Sequence, residues 1–394
     1  MVRVRSGDPE MARELNRALI LHLLRIYDMI PRAEIARRLS LSKVTVSAII
    51  NELLGKGIVV EVGEGAPVEK GGRKPIMLSL NTTNSFVVGV DLGTTNAVAA
   101  IGDLKGNVID KIRIPTNRNH NVEIIVEQIT QLIDDLLTKS NIDGKKIAGI
   151  GMAVAGQVEK DMGLIIFSPH FNWHNVYIAK LVEERTGYKT IADNCTRVMT
   201  IGEVWYGEGK DVSNLLFINV GHGIGSALVI DNKIFKHHSE FGHIFITKKK
   251  IRCACGKYGC LEVVASGEAI EREANQLFPR SENEWITAKM VAERANNGDK
   301  AAKKIYNEAG RYIGRGISII ANTLNSEKII IGGGISSVGD LLLKPVLKEF
   351  NKNTMEGIKD KMSVRSSSLG MDTAVRGAIA MTLDDIIFDH DLVN

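Results

Sequence analysis

The chain has 394 residues, of which 44% are hydrophobic and 24% charged, a balance typical of a folded globular protein and not of a disordered one. Its longest apolar runs stop well short of the roughly 20 residues that a membrane span needs, and its first residues do not resemble a secretion signal, so we expect a cytoplasmic protein of two or three domains. The whole formal net charge of +4 lies in residues 1–80, which hold 13 Lys and Arg residues against 9 Asp and Glu residues.

The first 80 residues have the pattern of three helices followed by two strands. Apolar residues recur at helical spacing in the helices, and the strands flank a long basic loop. The predicted elements are helices at 11–27, 32–39 and from Ser42 to Gly55, and strands at 58–62 and 76–80. Three helices followed by a hairpin predict a winged helix-turn-helix, which would explain the local excess of positive charge.

The start of the third predicted helix carries side chains that suit DNA. A helix in the major groove reads bases through its first turns, and its N-terminal amides attract phosphate. The loop between the strands adds two cations next to glycine and proline, a shape that suits the minor groove. The candidate residues are Ser42, Lys43, Thr45, Val46 and Ser47 on the helix and Arg73 and Lys74 on the loop. The alternatives are a helical hairpin that contacts another protein and a solvated loop.

From residue 81 onwards, strands, glycine turns and amphipathic helices alternate as they do in an α/β domain. A strand at 86–90 leads through a turn at 91–95 into a second strand, and the same design returns at 215–230. A third glycine turn, at 332–334, follows another strand. The repeat predicts two lobes of common ancestry. We expect residues 81–194 with a helix at 371–394 to form one lobe and residues 195–370 to form the other.

The glycine turns that follow these strands have the composition of phosphate-binding turns. Their amides and hydroxyls suit phosphate, and an aspartate at the end of the first strand suits a magnesium ion. One such turn alone is a weak signal, but the matched pair predicts the two-lobed, actin-like or ribonuclease-H-like architecture of sugar kinases. The candidate nucleotide-binding residues are Asp91, Gly93, Thr94, Thr95, Gly223 and Gly333.

Three of the four cysteines, Cys253, Cys255 and Cys260, fall within eight residues of one another and follow His243. In a cytosolic chain such clustering indicates metal binding and not disulfides. One imidazole and three thiolates match a closed tetrahedral zinc site, and because no coordination position stays open, the zinc would be structural. The alternative is a group of reduced, buried cysteines.

Two short segments, 240–243 (EFGH) and 253–262 (CACGKYGCLE), resemble the ROK family, which contains repressors and sugar kinases. The resemblance runs from the helix-turn-helix to the C-terminal helix and is to the sugar-responsive repressors of the NagC, Mlc and XylR type. It implies that the zinc loop braces a sugar pocket, in which carboxylates and a zinc-fixed histidine hold hydroxyl groups. The residues that the resemblance assigns to the sugar are Asn172, Asn194, Glu240, His243 and Glu262.

The kinases of this family use an aspartate as general base toward the sugar hydroxyl. An ungapped alignment on Glu203 and Gly207 places Cys195 on that aspartate, and Asp193 lies two positions early. A thiol with a pKa near ~8.5 is poorly suited to deprotonate a sugar hydroxyl, and the loss of a general base typically costs about 10² to 10⁴ in rate. We therefore expect no catalytic residues and no requirement for ATP and Mg²⁺.

The leading hypothesis is a repressor of carbohydrate-utilisation genes. A monosaccharide, glucose or xylose, would bind between the lobes and change the spacing of the winged helices in a dimer or tetramer on palindromic promoter DNA. The alternative is an ATP-dependent, glucokinase-like sugar kinase with an added DNA-binding domain.

Overall fold

The N-terminal part of the chain folds as three helices beside a small antiparallel sheet. The computed structural model describes residues 9–65, 74–237, 239–279, 285–324 and 326–388. The elements are α1 (Pro9–Ile26), β1 (Ile30–Pro31), α2 (Arg32–Leu39), α3 (Lys43–Gly55), β2 (Val59–Glu64) and β3 (Ile76–Leu80). The strands pair in the order β1–β3–β2. The three predicted helices and the hairpin are present, and the short strand β1 was not predicted. We call residues 9–65 and 74–80 the head.

The start of α3 is fixed by a helix cap. Ser40 ends α2 in the left-handed conformation with φ 54°, and the Ser42 side chain accepts a hydrogen bond of 3.0 Å from the amide of Thr45. The cap satisfies one of the free donors at the helix start. The buried residues of α3 recur at the spacing of one helix face and are Val46, Ile49, Ile50 and Leu53.

Lobe one is built on a five-stranded sheet covered by two helices. Its elements are β4 (Phe86–Leu92), β5 (Asn96–Asp103), β6 (Val108–Pro115), α4 (Val122–Ser140), β7 (Ile147–Val154), β8 (Gln157–Glu159), β9 (Leu164–Ser168), β10 (Trp173–Val176), α5 (Ile178–Thr186) and β11 (Thr190–Asn194). The main sheet has the order β11–β7–β4–β5–β6, and β8, β9 and β10 form a separate antiparallel sheet. Helices α4 and α5 share one hydrophobic core with the main sheet.

Lobe two repeats the main sheet of lobe one. Its elements, entered through α6 (Cys195–Tyr206), are β12 (Leu215–Val220), β13 (Ile224–Ile230), β14 (Lys233–Ile234), α7 (Glu262–Ala265), α8 (Gly267–Leu277), α9 (Ala288–Asn296), α10 (Lys300–Ala321), β15 (Lys328–Gly332), α11 (Asp340–Asn353), α12 (Glu356–Lys359) and β16 (Ser363–Ser366). The order β16–β15–β12–β13–β14 matches β11–β7–β4–β5–β6, with parallel and antiparallel pairs at the same places. The predicted repeat is confirmed.

Two helices, α6 and α13 (Thr373–Thr382), lie in a core that both sheets share. They can approach closely because Gly377 has no side chain. A Cβ at this position would lie 1.9 Å from the carbonyl oxygen of Val198. The chain continues from α13 as the π-helical segment Leu383–Phe388, so the helix predicted at 371–394 is present as far as the description reaches. Short 3-10 helices span Gly144–Lys146, Lys160–Met162, Phe241–His243, Gly334–Val338 and Gly370–Asp372. Each helix in the described ranges is too short or too polar to cross a bilayer.

The head and lobe one share a single hydrophobic core. Buried residues of α1, α2 and α3 belong to the same cluster as residues of β4, β5, α13 and the C-terminal π-helical segment. Leu21 and Leu24 of α1 are fully buried in it, as are Val87 of β4 and Phe388. The head is therefore packed onto the body of the protein over its apolar face.

Candidate functional site

The four predicted metal ligands come together at one point. Donor atoms of His243, Cys253, Cys255 and Cys260 all lie within 4.8 Å of one another. The Cys253 Sγ is 3.5 Å from Nδ1 of His243, and the Sγ atoms of Cys255 and Cys260 are 3.6 Å apart. One imidazole and three thiols at these distances fit tetrahedral Zn²⁺, which all four residues would hold. An ion with four protein ligands supplies structure and not catalysis.

The loop that carries the cysteines is ordered by its own backbone. The amide of Cys253 donates a hydrogen bond of 2.8 Å to the carbonyl of Lys257, and Gly256 has φ 87°. Gly259 has φ 80°, and a Cβ at this position would lie 2.3 Å from the carbonyl oxygen of Thr247. Only glycine fits such a position, so the turns that gather the thiols depend on these glycines.

The carboxylates that the resemblance assigns to a sugar flank the metal cluster. Nε2 of His243 lies 3.8 Å from Oε2 of Glu240. Oε1 of Glu262 lies 3.9 Å from Sγ of Cys253, and its Oε2 accepts a hydrogen bond of 2.8 Å from the amide of Ile224. A metal ion bound by Nδ1 of His243 would fix the ring with Nε2 directed toward Glu240. A metal ion in the cluster would thus orient His243 toward Glu240, and Glu262 lies against the cluster.

A cavity opens in the cleft between the lobes. One wall comes from the start of α6 and the turn after β7, and the other comes from β13 and the segment that follows β14. The cavity therefore holds two of the predicted sugar residues, Asn194 and Glu240, and the described residues that line it are glycines and polar side chains that suit hydroxyl groups. Its lining residues are Gly156, Asn194, Thr196, Arg197, Gly225, Ser226, Ser239 and Glu240.

Asn194 links the start of α6 to the turn after β7, which forms the same wall of the cavity. Its Oδ1 accepts hydrogen bonds from the amides of Thr196 at 2.9 Å and Arg197 at 3.2 Å, which caps the helix. Its Nδ2 donates to the carbonyl oxygen of Gly156 at 2.7 Å. The second N–H of the amide group remains for a ligand in the cavity. Asn194 is therefore both the cap of α6 and a cleft residue.

Asp193 is not positioned as a base. Nε of Arg197 lies 2.9 Å and 3.0 Å from the two carboxylate oxygens of Asp193, and both side chains are buried. The same guanidinium donates through Nη1 to the carbonyl oxygen of Lys236, in lobe two. The carboxylate of Asp193 is thus held in an ion pair with Arg197.

Cys195 occupies the first position of α6, where the resemblance places the catalytic aspartate of the kinases. Burial, together with the nearby carboxylate of Asp91, raises the pKa of this thiol to about 12. Burial also raises the pKa of Asp91 to about 6, against the opposing effect of Arg113. A thiol with so high a pKa is protonated at neutral pH.

The first glycine turn closes on itself between β4 and β5. The amide of Gly93 donates to the carbonyl of Asn96 at 3.1 Å, and Oγ1 of Thr116 donates to the carbonyl of Gly93 at 2.7 Å. Thr94 is half-buried and Thr95 is exposed. The predicted residues from Asp91 to Thr95 therefore lie in a hairpin turn at the end of β4, next to Cys195.

The second glycine turn, between β12 and β13, packs against the carboxylate of Glu262. A Cβ on Gly223 would lie 2.5 Å from Oε2 of Glu262, the oxygen that already binds the amide of Ile224. The amide of Gly221 donates within the turn to the carbonyl of Gly223 at 3.0 Å. Gly333, at the third turn, has φ 89° and adjoins the end of β12. Two amides of the second turn are thus used by the protein itself.

His170 faces the same turn and was not predicted from the sequence. A Cβ on Gly223 would lie 3.8 Å from its Nε2, and its ring centroid is 5.4 Å from that of His222. Burial lowers the pKa of His170, and His222 lowers it further, while the carboxylate of Glu262 acts in the opposite direction. The neutral imidazole offers one donor and one acceptor next to the carboxylate of Glu262. The signal available in the sequence was a histidine two residues before the predicted Asn172.

Asn172 itself lies in the turn between β9 and β10, with φ 55° and an exposed side chain. It is not among the residues that line the cavity. Its neighbour Phe171 turns inward and stacks on Trp173 with ring centroids 4.6 Å apart. Like His243 and Glu262, Asn172 therefore lies outside the cavity lining, and the assignment of all three to the sugar stays a prediction.

The exposed face of α3 differs from the predicted one at one residue. Val46 was predicted to contact DNA, and this prediction is wrong because its side chain is fully buried in the core of the head. Val44, two residues earlier, is 79% exposed and provides an apolar group on the outer face. Such a group suits contact with a thymine methyl.

The remaining predicted residues of α3 lie at or near its outer surface. The side chains of Ser42 and Lys43 are exposed, and those of Thr45 and Ser47 are half-buried. The Oγ atoms of Ser42 and Thr45 are 2.8 Å apart, so both hydroxyls take part in the helix cap. Lys74, on the loop after β2, lies 3.7 Å from Glu64, measured between Nζ and Oε2. Arg73 lies outside the described residues.

Known proteins resemble this chain either over nearly its whole length or over about three quarters of it. The model of the ROK family matches residues 87–385. A xylose repressor of Caldicellulosiruptor bescii is 29% identical over 394 aligned positions, which cover 97% of this chain and 98% of that protein. A glucokinase of Halalkalibacterium halodurans is 33% identical over 310 aligned positions, which cover 75% of this chain and 94% of the enzyme. The glucokinase thus has no counterpart to about a quarter of the chain.

Solved structures agree with the fold described above. The crystal structure of a ROK family transcriptional regulator, described as a homologue of the Escherichia coli Mlc protein, superposes with a TM-score of 0.83. The match covers 97% of this chain and 99% of that one at 24% sequence identity, so it supports the arrangement of the whole fold.

Proposed function

The chain belongs to the ROK family, and we propose that it is a sugar-responsive transcriptional repressor. One observation carries the proposal: the cavity that Asn194 and Glu240 line belongs to the same chain as a head that exposes a capped helix. The alignment with the xylose repressor spans 97% of this chain and therefore includes most of the head. A kinase needs the base and does not need the head.

The head is the DNA-reading part of this proposal. Residues 1–80 would form a winged helix-turn-helix, in which α3 enters the major groove and the loop with Arg73 and Lys74 lies along the minor groove. Two copies of the chain would place two such helices on a palindromic promoter, as a dimer or within a tetramer. The α3 residues proposed to face DNA are Ser42, Lys43, Val44, Thr45 and Ser47.

The cleft is the proposed sugar sensor. Lobe one would comprise residues 81–194 with the C-terminal helix, and lobe two residues 195–370, although α6 packs against the cores of both. Zinc on the cysteine cluster would brace the wall that carries the carboxylates. The side chains proposed to hold sugar hydroxyls are Asn194, Glu240, His243 and Glu262, with His170 added from the structure. Xylose is the first effector to test, because the repressor relative is named for it, and glucose is the second.

Release from DNA would follow from differential binding. The sugar must favour the arrangement that does not fit the operator, and a shift from 99% to 1% of competent molecules needs about 10⁴-fold preference. The sugar itself would not be phosphorylated, since the thiol of Cys195 is protonated and Asp193 is held by Arg197. The proposed location is the cytoplasm, where promoter DNA and free sugar meet.

The test is operator binding in the presence of sugars. A duplex is selected from a library of random palindromes with the purified protein, and its affinity is measured by fluorescence anisotropy with D-xylose, D-glucose and N-acetyl-D-glucosamine. One sugar should change the affinity at least tenfold, and Glu240→Gln should remove the response without changing affinity for free operator. Glu293→Gln, on an exposed helix of lobe two, is the matched control. Failure to select any duplex, or indifference to all three sugars, contradicts the proposal.

A second candidate function is an ATP-dependent sugar kinase. The identity of 33% to a glucokinase and the retained turn from Asp91 to Thr95 favour it. A coupled assay of ADP release separates the two functions, because the proposed repressor should release no ADP with any of the three sugars. Rapid turnover by the unmodified chain would establish the kinase.

A further inference from the structure

Helix α6 connects the sugar cleft to the head. At its first turn, Asn194, Thr196 and Arg197 line the cavity. At its last turn, Trp205 is buried in the core that joins the head to lobe one. The helix has 12 residues and so spans roughly 18 Å at 1.5 Å per residue. One rigid element therefore has one end in the cleft and the other against the DNA-reading unit.

The contact at the far end of α6 is made by a cation of the head. The guanidinium carbon of Arg25, on α1, lies 3.9 Å from the centroid of the Trp205 ring. Burial lowers the pKa of Arg25, while the carboxylate of Asp384 acts in the opposite direction. A cation over an indole face is at its strongest when both are desolvated. Arg25 therefore links the position of the head to that of Trp205.

Further contacts surround this pair and fix its geometry. The Trp205 ring stacks on Phe388 at 6.0 Å and 11°, and Phe388 in turn faces the ring of His22, on α1, at 5.4 Å. Nε2 of His22 lies 3.5 Å from Oδ1 of Asp384. Two side chains of α1 thus meet the end of α6 and the C-terminal segment. A rotation of α6 changes the surface on which α1 rests.

The near end of α6 is tied to both walls of the cleft. Asn194 binds Gly156 on its own wall, and Arg197 donates to the carbonyl of Lys236 in lobe two. Along its length α6 packs closely on α13, where a Cβ on Gly202 would lie 2.8 Å from the carbonyl of Thr373. A tightly packed helix responds to a change at one end by moving as a unit and not by bending.

We propose that the Arg25–Trp205 contact transmits sugar binding from the cleft to the head. The proposal rests on the proposed function and adds its route: α6 is the moving element, and Arg25 is a positioning residue that acts through Trp205 and does not touch sugar or DNA. Because coupling between two ligands is reciprocal, operator DNA must alter sugar affinity by the same factor as sugar alters operator affinity.

The experiment measures that factor in full-length protein. Operator affinity is determined with and without saturating D-xylose, D-glucose or N-acetyl-D-glucosamine, and sugar affinity is determined by calorimetry with and without operator. In Arg25→Met, both affinities measured alone should stay within about twofold of the unsubstituted chain. The ratio of the operator affinities measured with and without sugar should fall at least fivefold, which is the lower end of typical allosteric couplings. A merely structural contact would change the separate affinities and leave their ratio intact.

Matched variants separate this contact from a general effect of losing an arginine. Arg294 lies 4.4 Å over the ring of Phe278 in lobe two, the same kind of contact away from α6, and Arg294→Met should keep the full ratio. Trp205→Phe keeps an aromatic face and should retain most of the ratio, whereas Trp205→Leu should lose it. This pair tests the contact from the other side if Arg25→Met does not fold.

The outcomes distinguish the route from the function. Suppose that the unsubstituted chain binds operator and responds to a sugar. If Arg25→Met and Trp205→Leu respond to that sugar as strongly as the unsubstituted chain does, the proposed route is wrong and the repressor function stands. If the unsubstituted chain responds to none of the three sugars, the proposed function is wrong and the route falls with it. Loss of the ratio in Arg294→Met would also overturn the route.

Discussion

Glu262 shows how one residue can connect the metal cluster, the cleft and the second glycine turn. One carboxylate oxygen lies 3.9 Å from a metal-binding sulfur, and the other holds the amide of Ile224. The carboxylate is therefore fixed before any sugar arrives, which lowers the entropy that a ligand must lose on binding. The same hydrogen bond occupies the amide of Ile224, so this amide is not free for a phosphate at the second glycine turn.

His170 should contribute directly to sugar affinity. Its neutral imidazole faces Glu262 and the second glycine turn, so His170→Ala should remove about one hydrogen bond and weaken sugar binding about tenfold, close to 1.4 kcal/mol. Isothermal titration with the effector sugar measures this loss. His174→Ala is the control, since the ring of His174, on β10, lies against Phe167 of β9. Equal sugar affinity in both variants would contradict this assignment.

Asp91 should make stability depend on pH. Its pKa rises from 3.8 to about 6 on folding, so the folded chain binds the proton more tightly than the unfolded chain. The resulting stabilisation is complete below about pH 4 and is lost as the pH rises through 6. Asp91→Asn should therefore raise the free energy of unfolding by about 1–2 kcal/mol at pH 7.5, allowing for partial exposure of the group, and change little at pH 4.

Urea denaturation at the two pH values provides the measurement. Asp110 is the control, because its hydrogen bond with Lys139 lowers its pKa, so that Asp110→Asn should show no gain at pH 7.5. A loss of stability in Asp91→Asn at pH 7.5 would show that the charged carboxylate is favoured by a partner and is not penalised by burial.

At the scale of elements, the zinc loop should hold the cleft wall in place. The short loop orders itself through two glycines, but its three thiols need a cation to stay together when ionised. Cys255→Ser should reduce bound zinc from about one ion per chain to a small fraction and weaken sugar binding, because the nearby carboxylates lose their support. Metal analysis by atomic emission and calorimetry with sugar measure both effects.

The fourth cysteine offers a matched control for the zinc loop. Cys195 lies outside the cluster, so Cys195→Ser should retain the metal in full. If Cys255→Ser kept its zinc, or if it lost zinc without any change in sugar affinity, the bracing role of the loop would be refuted.

The elements could largely be predicted because their signals are local. The residues that alternate between core and surface in α3 follow the spacing of one helix face, and Ser42 caps the helix by chemistry that needs only four residues. The error at Val46 was avoidable, since Val46 continues the buried row of Ile49, Ile50 and Leu53, whereas Val44 lies outside that row. Strand β1 was not predictable, because two residues become a strand only when β3 pairs with them.

The candidate site was predictable where motifs fix spacing and not where turns fix direction. The cysteine loop brings its ligands together because 253, 255 and 260 are close in sequence, and a bridge between Phe245 and Cys260 holds the segment after His243 beside the loop. The turn after β9 gives no periodicity that says which side chain points inward, so His170 was missed and Asn172 was chosen. The polar cavity wall at Ser226 and Ser239 comes from β13 and from the segment after β14, and only the tertiary fold brings the two side chains together.

At the scale of the whole molecule, the shared core makes the head and lobe one a single mechanical body. A head on a flexible linker would search for DNA independently of the cleft, and sugar could act on it only weakly. Here α1, α13 and the C-terminal segment bury their apolar faces in one cluster, so a change in lobe one reaches the head through packed side chains. The head should therefore not unfold independently of lobe one.

This argument predicts a specific consequence of opening the shared core. Phe388 is fully buried where the head meets the C-terminal segment, and Phe388→Ala should cost about 3–5 kcal/mol because it leaves a cavity. Amide hydrogen exchange in α1 and α3 should speed up together with exchange in β4 and β5, and operator affinity should fall. Phe350→Ala removes an equally buried ring from the core of lobe two and should leave exchange in the head unchanged. If Phe388→Ala accelerated exchange in β4 and β5 while α3 remained protected, the head would have a core of its own and sugar would have to reach it by another path.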